Sequence, residues 1–94
     1  MKNIDVIEAF LNGEAAHTQN LTSTGQKLYT YGTLLSYWDS EIHKYVVNET
    51  YYSNTSSHHR GMLIRQLHAG GFLVHYIQDK PWGFDIYVYW LKSL

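Results

Sequence analysis

The sequence predicts a small α+β domain in which two helices cover one face of an antiparallel sheet of four to five strands. Two segments place apolar residues at helical spacing, and the segments around them are rich in β-branched and aromatic residues. The chain has 94 residues, of which 45% are hydrophobic, so it can bury one core. We therefore expect residues 1–94 to form a single domain.

The first helix is predicted over residues 4–12, because Ile7, Phe10 and Leu11 fall on one helical face. Asparagine precedes this segment as a cap and glycine follows it as a stop. The next stretch, residues 14–25, is polar and weakly patterned. It is predicted to form either a short edge strand or an extended arm.

A hairpin is predicted to follow. Residues 27–38 are rich in strand-forming side chains, and alternation along one strand would put Tyr29 and Tyr31 on the same face. The letters DSE are typical of a turn, since short polar side chains bond their own backbone. Residues 42–51 are then expected to pair back as the second strand.

The second helix is predicted to begin among residues 54–57, whose side chains are all good helix caps. It should end near Ala69, because two glycines follow and allow the left-handed stop. Residues 72–78 and 84–91 are then predicted to be strands, joined by the turn DKPWG. Together with the first hairpin, these strands give the predicted sheet.

The start of the second helix is the first candidate contact site. With Leu63 and Leu67 in the buried stripe, His58 should point to solvent and Arg60 should extend its head over the core edge. A helix start has unpaired N–H groups and a partial positive charge, so Ser57, His58 and Arg60 are candidates for binding an anion or a partner. A polar cap without a ligand explains the same residues.

The tyrosines form the second candidate site. The chain has nine of them, and protein interfaces favour tyrosine. The candidates are Tyr29, Tyr31, Tyr87 and Tyr89. An aromatic sheet face can also stack unpaired bases, which makes a single-stranded nucleic-acid-binding domain the alternative. A net charge of −1 counts against a generally basic nucleic-acid binder, and tyrosines that merely cover a sheet need no partner.

Metal binding is predicted to be absent. The chain has six histidines, but none has the i, i+4 spacing of a helical metal site. His58 and His59 are adjacent and point about 100° apart on a helix, with His59 expected between the buried and exposed faces. His43 and His75 are predicted to lie in strands and could meet across the sheet only by an arrangement that the sequence does not specify. A histidine-based metal protein or enzyme is therefore the second alternative.

Catalysis and membrane insertion are also not expected. The sequence has no GxSxG motif, no glycine-rich phosphate loop and no paired carboxylates, so we predict no enzyme activity and no cofactor. No segment is long enough to span a bilayer, and acidic residues occupy the N-terminal stretch where a signal peptide would be apolar. The chain has no cysteine, which fits a reducing compartment. We expect a cytoplasmic protein.

A family resemblance adds an expectation of origin. The series YGTLLSYW, then VVNETYYSNTSSHH, then an amphipathic helix resembles a pattern in small uncharacterised proteins of phages and related mobile elements. The match covers roughly residues 5–70 and differs at His59, where the pattern has glutamine. It implies a viral or mobile-element origin and brings no activity with it.

The predicted function is a small non-enzymatic binding module that acts by contact with a protein partner. Inhibition of a host or defence protein is one form that this contact could take. The sequence leaves the oligomeric state open, and a homodimer is one of the outcomes it allows.

Overall fold

The computed structural model describes residues 1–49 and 54–77, and in them two helices pack on a six-stranded mixed sheet. The α+β class is therefore confirmed, as is the placement of both helices on one face. The elements in chain order are α1 (Asn3–Leu11), β1 (Ala15–His17), β2 (Leu21–Thr24), β3 (Lys27–Thr30), β4 (Thr33–Asp39), β5 (Lys44–Asn48), α2 (Asn54–Ala69) and β6 (Val74–Ile77).

The sheet differs from the predicted one in strand number and direction. Its strands lie in chain order, and each pair from β1 to β5 is antiparallel. The last strand, β6, runs parallel to β5. The reason is α2, which lies between β5 and β6 and carries the chain back across the sheet as a crossover connection. The polar stretch at 14–25 also forms two strands rather than one.

The core lies between the helices and the sheet. Both helices contribute side chains that are almost fully buried, and strands β2 to β5 supply the facing residues. Burying each large apolar side chain contributes roughly 1.5–3 kcal/mol, so this layer is the main source of stability in the described part of the chain. The buried residues are Val6, Ile7, Phe10, Leu21, Leu28, Leu35, Tyr45, Val47, Leu63 and Leu67.

The opposite sheet face holds a second, smaller cluster. Leu34, Tyr37 and Val46 are buried there, and Tyr29 and Ile77 pack against them. The register agrees, since the antiparallel ladder pairs Tyr29 with Leu34 and Tyr37 with Val46. The tyrosines of β3 and β4 are thus packed side chains rather than an open aromatic surface.

The predicted strand over residues 27–38 is wrong, because the chain reverses in its middle. Tyr31 and Gly32 have φ values of 50° and 81°, the conformation of a two-residue hairpin turn with positive φ at both positions. Tyr31 therefore lies at the tip of the β3–β4 hairpin and not on a face with Tyr29. The turn was not predicted because strand-forming residues continue on both sides of it. Gly32 was the residue that indicated a turn.

Two further predictions concern His43 and the strand at 84–91. His43 was predicted to lie in a strand, but it has a φ of 53° and precedes β5 in the β4–β5 turn. The predicted strand at 84–91, with the candidate residues Tyr87 and Tyr89, lies outside the described residues.

A close backbone contact ties the β2–β3 turn to the end of α1. Gly25 has a φ of 102°, and a Cβ atom there would lie 2.8 Å from the carbonyl oxygen of Gly13. Gly13 also has a positive φ, 74°, but a Cβ atom there would meet nothing within 4 Å. Both glycines thus have a backbone conformation that favours glycine, but only Gly25 also lacks room for a Cβ atom.

We expect Gly25→Ala to destabilise the protein by about 2–3 kcal/mol, because the methyl group adds a collision with backbone to the strain of positive φ. Gly13→Ala is the matched control, with strain alone and a cost of about 1–2 kcal/mol. Urea denaturation of both variants measures the difference. Equal losses would contradict the close contact.

Candidate functional site

The predicted site at the start of α2 is only partly open to solvent. His58 is exposed, as the helical wheel predicted, while Ser57 and Arg60 are half-buried. The Arg60 guanidinium donates a hydrogen bond to the backbone carbonyl of Glu49, which follows β5. Ser57 Oγ is buried and has no hydrogen-bond partner among the described residues. Arg60 thus fastens the helix start to the preceding chain.

His59 is the residue that sequence reasoning placed wrongly. It was expected between the two faces of α2, but it is only 2% exposed. The spacing of His59, Leu63 and Leu67 at i, i+4 and i+8 puts all three on one buried stripe. The i, i+4, i+8 spacing of these three residues was the sequence signal for the buried position of His59.

A chain of hydrogen bonds leads to His59 from the loop between β1 and β2. Thr18 Oγ1 accepts the backbone N–H groups of Asn20 and Leu21, at 3.2 and 3.1 Å. With its lone pairs occupied, the hydroxyl donates its proton to Asn3 Oδ1, at 2.7 Å. The orientation of the Asn3 amide is therefore fixed, with its oxygen toward Thr18.

The Asn3 orientation determines the tautomer of His59. The amide nitrogen of Asn3 lies 3.3 Å from Nε2 of His59, so Nε2 must accept. The proton of the neutral ring is then on Nδ1, which donates to Thr30 Oγ1 at 2.9 Å. We call Thr18, Asn3, His59 and Thr30 the histidine relay. It links α1, the β1–β2 loop, β3 and α2.

The environment of the relay favours the neutral form of His59. Burial, and then the charge of His58, lower the pKa of the His59 imidazole below its ordinary value. The ring of Tyr31 at the hairpin tip stacks on His59, with centroids 6.1 Å apart and planes 26° apart. A proton on Nε2 would face the Asn3 amide group, which is a donor, and would have no acceptor there.

The relay has no catalytic arrangement. Thr30 is 1% exposed, and its hydroxyl oxygen accepts from His59 instead of losing its proton to it. A substrate therefore has no access to a nucleophile here. The relay is a buried polar network that holds elements together.

The opposite end of α2 borders a groove. Two neighbouring depressions, with volumes of about 380 and 360 Å³, share Leu11 and Phe72 in their walls. We call them together the aromatic groove. Its first part is lined by Glu8, Leu11, Asn12, Gln66, Ala69, Gly70 and Phe72, and its second by Leu11, Gly13, Gly25, Gln26, Trp38, Tyr45 and Phe72.

Packed rings form the floor of the aromatic groove. The ring of Tyr45 lies 4.9 Å from that of Trp38, 5.2 Å from that of Phe72 and 5.4 Å from that of Phe10. The Tyr45 hydroxyl points to the carbonyl oxygen of Leu11, at 3.5 Å, and burial raises the pKa of Tyr45. The floor is therefore an uncharged, ordered aromatic surface.

Large apolar side chains are exposed at the end of the sheet where this groove lies. Leu73 is 62% exposed, Ile42 47% and Phe72 39%. The backbone N–H of Tyr45 donates to the carbonyl of Leu73 at 3.0 Å, so Leu73 lies next to the start of β5. Ile42 precedes β5 by two residues and belongs to the same end of the sheet. We call Ile42, Phe72 and Leu73 the apolar edge.

The two candidate regions lie far apart. Ser57 and His58 are near the start of α2 and Gly70 follows its end, so the helix rise separates them by about 20 Å. A small partner group could not touch both. Over residues 1–49 and 54–77, no three histidine or acidic side chains come together as metal ligands do, and no helix is long and apolar enough to cross a membrane.

Comparisons with protein-family models, curated proteins and solved structures found no match to this chain. The phage or mobile-element origin implied by the sequence resemblance therefore stays a prediction.

We expect His59→Ala to destabilise the protein by about 2–4 kcal/mol, because it leaves Asn3 and Thr30 with buried groups unpaired and opens a cavity. His58→Ala is the adjacent control. Its side chain is exposed, so the change should stay within about 0.5 kcal/mol. Thermal and urea denaturation measure the loss of stability in both variants, and equal losses would refute the relay.

Proposed function

We propose that this protein is a small non-enzymatic binding module that acts through protein–protein contact at the aromatic groove and the apolar edge. The observation that carries the proposal is the exposure of Phe72, at 39%, in the wall of a groove with an aromatic floor, followed in the chain by Leu73, which is 62% exposed. Exposed apolar side chains next to a concave surface are typical of interaction sites. Trp, Tyr and Phe are also the residues that interface centres favour.

The rigidity of the groove supports the same proposal. Tyr45 is 5% exposed and in contact with three other rings, so the floor loses little conformational freedom when a partner binds. Phe72 is anchored at its backbone, where its N–H donates to the carbonyl of Leu67 at 3.0 Å. A partner side chain that enters the groove would meet a surface that is already formed.

The nucleic-acid alternative has less support from the described residues. Base stacking requires open rings, but Tyr37 is 8% exposed and Tyr29 is half-buried in the cluster on the second sheet face. Tyr31 and Tyr76 are exposed, at 55% and 38%, but Tyr31 lies at a hairpin tip and stacks on His59, while Tyr76 lies on β6, the edge strand of the described sheet. The two rings do not form one aromatic sheet face.

The cellular setting in the proposal comes from the sequence. A phage or mobile-element protein acting in the host cytoplasm, with a host or defence protein as its partner, fits a binding module without catalytic machinery. The groove has no feature specific to one partner protein, so we propose the mode of action and not the identity of the target.

We expect Leu73→Asp to abolish capture of the partner from nuclease-treated extract of the natural host, because a charge in the centre of an apolar contact must be desolvated. The fold should tolerate the change, since Leu73 is exposed and precedes β6. His58→Ala, at the far end of α2, is the control and should retain the partner. The reverse result would move the contact site to the start of α2, and loss of capture on nuclease treatment alone would favour a nucleic-acid partner.

A further inference from the structure

The polar part of the aromatic groove is electronegative. The carboxyl-terminal ends of both helices border it, with Leu11 and Asn12 from α1 and Ala69 and Gly70 from α2. Helix carboxyl ends have a partial negative charge, although the last carbonyls of both helices already accept hydrogen bonds from following N–H groups and from the Tyr45 hydroxyl. The last turn of α1 contains no basic residue to offset this charge, and that of α2 contains His68, which is exposed and does not line the groove. The last turn of α1 also contains Glu8, which lines the groove.

No cation among the groove-lining residues compensates these charges. Among the described residues, the lining contains neither lysine nor arginine, and none forms an ion pair or hydrogen bond with the Glu8 carboxylate. Lys27 and Lys44 are next in sequence to the groove-lining residues Gln26 and Tyr45. Side chains alternate along a strand, and the neighbours Leu28 and Tyr45 face the core under the helices, so the two lysines face the other side of the sheet. Glu8 is therefore the only charged side chain among the described residues that line the groove.

The aromatic part of the groove favours the same type of ligand. Phe72 separates the two depressions and borders both, and the faces of Trp38, Tyr45 and Phe72 have the negative potential of an aromatic ring. Tyr45 stays a neutral phenol because burial raises its pKa. A long side chain with an apolar stem and a cationic head could lay its stem along these rings and reach Glu8 with its head.

We propose that the aromatic groove receives an arginine or lysine side chain of the partner protein, with an apolar neighbour of that residue in the depression lined by Trp38 and Tyr45. This inference rests on the proposed function and names the chemistry of its partner. Charge complementarity selects this occupant over an acidic segment, which both helix ends and Glu8 would repel. It also selects it over a purely apolar segment, which would leave the Glu8 end of the groove unused.

The test uses two blocked peptides that differ only in charge. One has arginine between two leucines, and the other has citrulline, a neutral isostere, in its place. Titration of the ¹⁵N-labelled full chain by NMR should show shifts at Glu8, Asn12, Gln66 and Gly70. The arginine peptide should bind about tenfold more tightly than the citrulline peptide, from an ion pair together with cation–π contact, and its advantage should shrink at high salt.

Two protein variants separate the charge from the shape of the groove. Glu8→Gln should reduce the preference for arginine and leave the citrulline peptide unchanged. In Gly70→Ala the new Cβ would lie 2.6 Å from Cε2 of Phe72, so the ring must move and both peptides should bind more weakly. Glu8 is exposed, so Glu8→Gln should fold normally.

Several results would overturn the inference. Equal affinity of the two peptides, an unchanged preference in Glu8→Gln, or no binding of either peptide would each do so. Concentration-dependent shifts at the groove in the protein alone would assign it to a second copy of the chain. If the peptides fail while Leu73→Asp still abolishes capture of the natural partner, the cationic occupant is wrong and the proposed function stands. If Leu73→Asp has no effect on capture, the proposed function itself is wrong.

Discussion

The hydrogen bond between Asn3 and the neutral ring of His59 joins two helix starts that are 56 residues apart in the chain. It fixes the point at which α2 begins to cross the sheet, and Leu63 and Leu67 then pack along the same stripe into the core. Because every polar group of the relay has a partner only when His59 has its proton on Nδ1, the relay specifies one position of α2. An apolar stripe alone would tolerate small shifts along the helix axis.

The position of α2 determines the shape of the aromatic groove. The helix ends at Ala69, and the backbone then turns so that Phe72 contacts Tyr45 and β6 joins β5 in parallel. The other walls come from the end of α1 and from the β2–β3 turn, where Gly25 touches Gly13. A buried polar network at one end of α2 thus supports an exposed aromatic surface at the other.

Local sequence signals accounted for much of the fold but little of the site. Apolar spacing located both helices, and Leu63 and Leu67 were correctly placed in the core. Tyr31 and Gly32 were missed as a turn because strand propensity continued on both sides of them. The parallel pairing of β6 and the groove depend on contacts between distant segments, such as that of Phe72 with Tyr45. No spacing within one segment encodes these contacts. The sequence indicated His58 as a contact residue at the start of α2, whereas the histidine with a structural role is its neighbour His59.

The imidazole nitrogen resonances of His59 test this account most directly. Long-range ¹H–¹⁵N correlation spectra distinguish the two neutral tautomers and the charged ring. The account requires a proton on Nδ1, an unprotonated Nε2, and a ring that stays neutral as the pH falls below the ordinary histidine pKa of about 6.5, in line with its lowered pKa. A proton on Nε2, or an ordinary titration near that pH, would contradict the relay and its control of the position of α2.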